Sequence, residues 1–358
     1  MTMRRIQKVT AAAVAMGMIL TGCNSAAGTV NVPVIDETDA SQASEAGTQT
    51  SGGNAEYKLI AAHVSSEAHS FHLGLEEFKK QVEEKSNGRI EVEIHANGEL
   101  GANEDELVQK MATGTVDMII AAPSFMAQSV KTADLLSLPY LFKDVEHWEK
   151  VMDGEPGQEI SKLVEEESGL FKVLGYFKDG IRNMYTVKPV ETLEDMKDMK
   201  FRIQNSPTQI AFWSKLGVQP TFIAFNEIYQ ALQNGVIDGA ENSYAQIAQQ
   251  KHYEVCKYIT QTEHDVATRF VLISQQKYNE LPEDLQKAVD ESAELAVKKQ
   301  REVDLELDAK YKDEMAKAGV TFISIDKQPL IDMTEDVRHD AAEEMGLSDM
   351  LDQINALK

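Results

Sequence analysis

Hydrophobic and polar positions fall into two alternating rhythms from Tyr57 onward. YKLIAAHV reads as a strand, and FHLGLEEFKKQVEE lines up Phe71, Leu75, Phe78 and Val82 on one helical stripe. RIEVEIHA alternates strictly, the pattern of a half-buried strand. NEDELVQKMATG opens with a capping-box pattern, Asn103 to Glu106, and stops at Gly114; TVDMIIAA is then apolar enough for a buried strand. This alternation predicts an α/β fold with helices packed on mostly parallel sheets. Further along, GLFKVLGYF, GIRNMYTV, KFRIQ, VQPTFI and VIDGAE read as separate short strands. SPTQIAFWSKLG fits a helix with Ser206 as cap, Pro207 in the first turn and Gly217 as stop, and NEIYQALQNG is built the same way from Asn226 to Gly235.

Two elements are unusually long. EHDVATRFVLIS reads as one strand of about twelve residues, twice the ordinary length. From Pro282 to Gly319 the chain has no internal Pro or Gly, and a helix of that length extends about 55 Å, more than one small domain is wide. A strand and a helix shared between two lobes would make a hinge. A chain of 358 residues suits two globular lobes.

The N-terminus adds an export signal. MTMRRIQK is basic, VTAAAVAMGMIL is apolar but too short to span a bilayer comfortably, and LTGC supplies a small-residue cleavage site ending at Cys23. Leu20-Thr21-Gly22-Cys23 resembles the lipobox of bacterial lipoproteins, in which the cysteine is acylated and becomes the first residue. The run from Asn24 to Asn54 has no apolar periodicity, no aromatic residue, four acids and no base, so it is expected to be a disordered tether. Stretched fully it reaches about 100 Å. One other cysteine, Cys256, stands in an apolar strand-like context and is expected to be an inert buried thiol.

Charge narrows the partners. The net charge is −24, which becomes −27 once Arg4, Arg5 and Lys8 leave with the signal, so nucleic acid is excluded as a partner. No nucleophile elbow, phosphate loop, His-Glu-x-x-His motif or suggestively paired carboxylates appears, and no enzyme or cofactor is expected. Glu67, His69 and His72 do not complete a metal set, so no metal is expected either.

Arginine is scarce. After Cys23 there are 26 Lys and six Arg: Arg89, Arg182, Arg202, Arg269, Arg301 and Arg338. Arg182 and Arg202 each lie within a short strand. In MKFRIQNSP, Met199, Phe201 and Ile203 alternate with Lys200, Arg202 and Gln204. A guanidinium is well shaped to clamp a carboxylate through two parallel bonds. On composition alone both arginines could equally belong to surface or structural ion pairs.

The stretch from Gly180 to Ser243 resembles the core of the extracytoplasmic solute receptors of tripartite ATP-independent periplasmic (TRAP) transporters. The motifs are Gly180-Ile181-Arg182, Lys200-Phe201-Arg202, Pro220 to Gln233, and Asp238-Gly239-Ala240-Glu241-Asn242; NGELGANEDELVQKMATGTVDM, LSLPYLFKDVEHWEKVMDG and YEVCKYIT also match. Ile181 stands where that family usually has an aromatic, and Gln204 where it usually has Pro. The resemblance covers about Tyr57 to the C-terminus. It implies a two-lobed periplasmic-binding-protein-like fold, with mixed sheets flanked by helices and the long strand and long helix shared between lobes. The expected division is lobe I from 56–179 with 269–307, and lobe II from 180–268 with 308–358.

The same resemblance implies that Arg202 clamps the carboxylate of a small organic acid. Arg182 would be a second donor, Phe225 would pack on the carbon skeleton, and Asn242 would bond the carboxylate or a neighbouring oxygen. Glu241, Tyr244, His63 and His69 are further candidates for ligand hydroxyls. That polar group favours a sugar acid such as a hexuronate over a C4-dicarboxylate. The expected partners are the TRAP membrane subunits, with the receptor a lipid-anchored monomer outside the cytoplasm. The rival of the same shape is the receptor lipoprotein of an ATP-driven importer.

Overall fold

The computed structural model describes residues 55–358. The export signal, Cys23 and the tether lie outside the described residues. Nine strands form one mixed sheet: β1 (Tyr57–Ala62), β2 (Ile90–His95), β3 (Met118–Ala121), β4 (Phe171–Thr186), β5 (Lys200–Ile203), β6 (Gln219–Phe222), β7 (Gly239–Asn242), β8 (Tyr258–Ser274) and β9 (Thr321–Ser324). Their order is β2-β1-β3-β8-β4-β7-β5-β6, with β9 beside β8.

β4 and β8 form an antiparallel ribbon of 16 and 17 residues that runs through both lobes. The C-terminal end of β8 takes β3 at Phe270 to Ile273 and so carries the β1–β2–β3 lobe. Its N-terminal end takes β9 at Tyr258 to Gln261, while β4 takes β7 at Asn183 to Thr186, carrying the β5–β6–β7 lobe. Each lobe buries an apolar cluster on both faces of its sheet. In the first these are built on Phe71, Phe78 and Val289, and on Trp148, Val164 and Phe270. In the second they are built on Ile228, Cys256 and Met315, and on Phe201, Phe212 and Trp213.

Where the hydrophobic pattern predicts two strands, GLFKVLGYF and GIRNMYTV, the structure has one. The intervening Lys178-Asp179-Gly180 looks like a loop because it is polar, yet Lys178 and Asp179 are buried. The long helix Glu283–Lys317 holds them in place. Gln300 accepts from the Lys178 N–H at 3.0 Å and donates to its carbonyl at 2.6 Å, and Asp304 accepts from Lys178 Nζ at 2.5 Å. The register shifts between Lys178 and Ile181, where Gly180 takes φ 63. A Cβ there would stand 2.9 Å from Asp308 Oδ1, so this bend needs glycine.

Other local expectations hold in part. Asn103 accepts from the Glu106 N–H, although Glu106 reaches back to Ala102 rather than to Asn103 itself. Ser206 caps the helix Pro207–Lys215. The helix at Asn226 differs: it begins as a tight 3-10 turn, Phe225–Glu227, and no side chain caps it. Residues 308–358 pack against both lobes: Met315, Val320 and Leu330 join the clusters of the β5–β7 lobe. Ala342, Leu347, Met350, Leu351 and Ile354 join the Trp148 cluster, so the last two helices return to lobe I. Their amphipathic pattern shows an apolar face without saying what covers it.

Candidate ligand-binding site

Phe201 and Ile203 of β5 are buried in the cluster around Trp213, and strand alternation therefore turns Arg202 and Gln204 to the opposite face. That face is not solvent. Arg202 is 1 % exposed; its Nε donates to the Ile223 carbonyl at 3.0 Å, and its Nη2 meets no partner. Burial draws the guanidinium pKa down, against the opposing pull of Glu241 and Tyr185. A buried cation with a free donor is costly unless an anion reaches it.

Arg202 lines a cavity with Val64, Glu104, Phe125, Gln204, Phe225, Asn242, Gln246 and Arg269. The cavity volume is only about 10 Å³, room for about one water. The walls must part to admit anything larger than a water. Val64, Glu104, Phe125 and Arg269 come from the β1–β3 side, and the other residues from the β5–β7 side, so the cavity lies between the two lobes.

Of the expected ligand contacts, Arg202, Phe225 and Asn242 line this cavity; Arg182, Glu241, Tyr244, His63 and His69 do not. Arg182 is fully engaged one layer behind. It grips both Glu241 oxygens through Nε and Nη2, and Nη1 donates to Asn242 Oδ1 at 2.9 Å. Asn242 Oδ1 also accepts from the Ser243 N–H, which leaves its Nδ2 as the group offered to the cavity. Burial pushes the Glu241 carboxyl up, but Arg182 and His264 outweigh it and hold the pKa at about 2.

The remaining three meet other protein groups, although His63 Nδ1 and His69 Nε2 are themselves buried without a hydrogen-bond partner among the described residues. Tyr244 accepts from Gln261 Nε2 at 3.0 Å and packs edge-on against Phe322. His69 caps the helix Ser70–Lys85 through Nδ1 and turns Nε2 towards Asp179 at 3.4 Å. His63 faces His72, at 3.1 Å, and burial together with His72 and His69 lowers its pKa to about 3. Cys256 is buried, and burial pushes its thiol up to about 12, consistent with an inert role.

Sequence reasoning missed Glu104, Gln204, Gln246 and Arg269. Arg269 was flagged only by the scarcity of arginine, and Gln204 only by its place on the polar face of KFRIQ. Glu104 reads as one more acid in a first helical turn, and Gln246 carries no sequence signal. A more open groove of about 740 Å³ lies elsewhere, between β4 and the helices Val145–Met152, Glu155–Ser168 and Glu283–Lys317, and contains none of these residues. Among the described residues no cluster could hold a metal ion, and no helix is long and apolar enough to cross a membrane.

A two-lobed α/β protein with a buried cationic cleft between its lobes belongs to the class of extracytoplasmic solute receptors. Residues 61–345 match the model of the bacterial extracellular solute-binding protein family 7, and the chain belongs to that family. It is 34 % identical over 309 residues to a solute-binding protein of Sulfitobacter sp. strain NAS-14.1, covering 86 % of this chain and 93 % of that one. It is 36 % identical over 231 residues to the C4-dicarboxylate-binding periplasmic protein DctP of Rhodobacter capsulatus, covering 62 % and 68 %. A TRAP periplasmic solute binding protein from Pseudomonas putida F1, solved with bound D-glucuronate, superposes with a TM-score of 0.81 at 31 % identity, covering 84 % of this chain and 97 % of that one. The chain is therefore a TRAP solute receptor, a transport protein rather than an enzyme.

Proposed function

We propose that this receptor captures a hexuronate between its lobes and delivers it to the TRAP permease while tethered to the membrane through an acylated Cys23. Arg202 Nη2 and Asn242 Nδ2 bind the carboxylate, and Phe225 packs on the ring. Arg182 does not touch the ligand; it positions Asn242 and neutralises Glu241. The lobes divide as 56–179 with 269–307 and 335–358, and as 180–268 with 308–334. The observation that carries this reading is the unpartnered Nη2 of a wholly buried Arg202 at the cavity wall. The glucuronate held by the Pseudomonas putida neighbour supports the choice of acid. A C4-dicarboxylate is the second reading, favoured by a second guanidinium, Arg269, in the same cavity.

Calorimetry with D-glucuronate tests the clamp. Truncating one partner of a buried charge pair costs about 2–5 kcal/mol, so Arg202→Ala should weaken binding by roughly 30-fold to several thousandfold. Arg202→Lys should also fail, because a compact ammonium cannot hold the Ile223 carbonyl and reach the ligand carboxylate at once, as Nε and Nη2 of the guanidinium do. Binding by Arg202→Ala within about threefold of the parent, far below the loss expected of a buried pair, removes Arg202 from the site.

A further inference from the structure

The two arginines of the cavity differ in charge balance. Arg269 is already compensated: Nη2 donates to Asp179 Oδ2 at 2.7 Å, and Nε lies 4.0 Å from Glu104 Oε1. Among the described residues Arg202 makes no salt bridge, and its one hydrogen bond goes to a neutral carbonyl. We infer that the cavity is matched to a single carboxylate, and that Glu104, Arg269 and Gln246 form a second, hydroxyl-reading wall that rejects a second carboxylate. This deepens, and rests on, the reading of Arg202 as the clamp.

The wall has unmet hydrogen-bonding capacity of both signs. Glu104 is 4 % exposed, and the hydrogen bond it accepts, from the Ala122 N–H, goes to Oε2. Its Oε1 remains an acceptor for a ligand hydroxyl. Arg269 Nε, 4 % exposed, is a donor without a partner, and Gln246 Oε1, 3 % exposed, an acceptor without one. A hydroxyl both donates and accepts, so a vicinal diol can satisfy Glu104 and Gln246 as donor and Arg269 as acceptor. A carboxylate can only accept. It would meet Arg269 but would face Glu104 and the Gln246 carbonyl with lone pairs against lone pairs. Burial already raises the Glu104 carboxyl pKa against the pull of Arg269, so a second carboxylate beside it must either face a like charge or force Glu104 to take up a proton, and either cost opposes binding.

The test compares acids of one chain length. D-gluconate and D-glucarate share a six-carbon polyol skeleton and differ in carrying one carboxylate or two. Calorimetry on the parent should favour D-gluconate by about tenfold or more, and Glu104→Gln should shrink that preference by about tenfold while weakening D-gluconate itself. Glutamine keeps an oxygen for the Ala122 N–H, and circular dichroism checks the fold. The parent's preference needs no variant, so a misfolded Glu104→Gln does not remove the test. Equal or tighter binding of D-glucarate by the parent overturns the charge match. If Arg202→Ala still abolishes binding in that case, the clamp stands and only the second wall is wrong. A preference unchanged within about threefold in folded Glu104→Gln overturns the role of Glu104. Binding of neither acid, nor of D-glucuronate, overturns both readings.

Discussion

Arg182 embraces Glu241 from the neighbouring strand, with Nε on Oε2 and Nη2 on Oε1 at 2.7 Å, and both residues are 1 % exposed. This makes Arg182 a positioning residue whose loss is felt first in stability. Arg182→Met leaves Glu241 buried without its partner, a defect that costs about 3–5 kcal/mol. Chemical denaturation should show that loss, and Arg182→Met/Glu241→Leu should recover most of it, since removing both charges removes the orphan. A single variant within about 1 kcal/mol of the parent would mean that the pair behaves like a surface one.

The pH dependence of stability should carry a distinct mark from Asp308. Burial, aided by Asp304, pushes its carboxyl up to about 7, with Lys178 opposing. An unfolded Asp titrates near 3.9, so between about pH 4 and 7 the folded chain holds a proton that the unfolded chain has lost. Stability from this group therefore falls as pH rises through that window. Asp308→Asn removes the titration and can still accept from the Ala245 N–H. Its midpoint should gain on the parent steadily from pH 4 to pH 8. A difference independent of pH would show that Asp308 titrates as in water. Glu241 and Asp179 act in the opposite sense: burial raises both, their cationic neighbours override it, and both sit at about 2. Their contribution is present above about pH 4.5 and is lost as pH falls towards 2.

Arg202 was legible because its strand states its own geometry: Phe201 and Ile203 must go inward, so Arg202 goes the other way. The caps at Asn103 and Ser206 were legible for the same local reason. The partner of Arg182 was not legible, because alternation gives a face without naming what stands across it. Glu241 arrives from β7, 59 residues later, and only the register of three strands brings it there. Glu104 was hidden by a sufficient local explanation, the acidic first turn of a capped helix. Lys178-Asp179-Gly180 looked like a break because its polarity is answered by Gln300 and Asp304, more than a hundred residues away. Long-range partners decide these positions, and no window of sequence contains them.

Anchoring is tested at Cys23. If the residue is acylated, Cys23→Ala should release the protein from the membrane fraction or leave its signal uncleaved. A single acyl chain anchors only marginally, so the mature terminus should carry more than one. Mass spectrometry that finds an unmodified residue 23 in membrane-bound protein would sink the lipoprotein reading.

Closure is the last expectation, and it follows from where the cavity walls come from. Glu104, Phe125 and Arg269 stand on one lobe, Arg202, Phe225 and Asn242 on the other, and the void between them is too narrow for a sugar. Entry of D-glucuronate therefore requires an open form, and a ligand that touches both walls favours the closed one by its difference in affinity for the two. The bend at Gly180 and the register shift beside it lie in β4 between the lobes. With residues 24–54 deleted, small-angle scattering should give a larger radius of gyration for the free protein than for the complex. Arg202→Ala at the same ligand concentration should keep the larger value, because it lacks the contact that rewards closure. Identical curves for the free and saturated parent would mean that the lobes do not move, and the ligand would then need another way in.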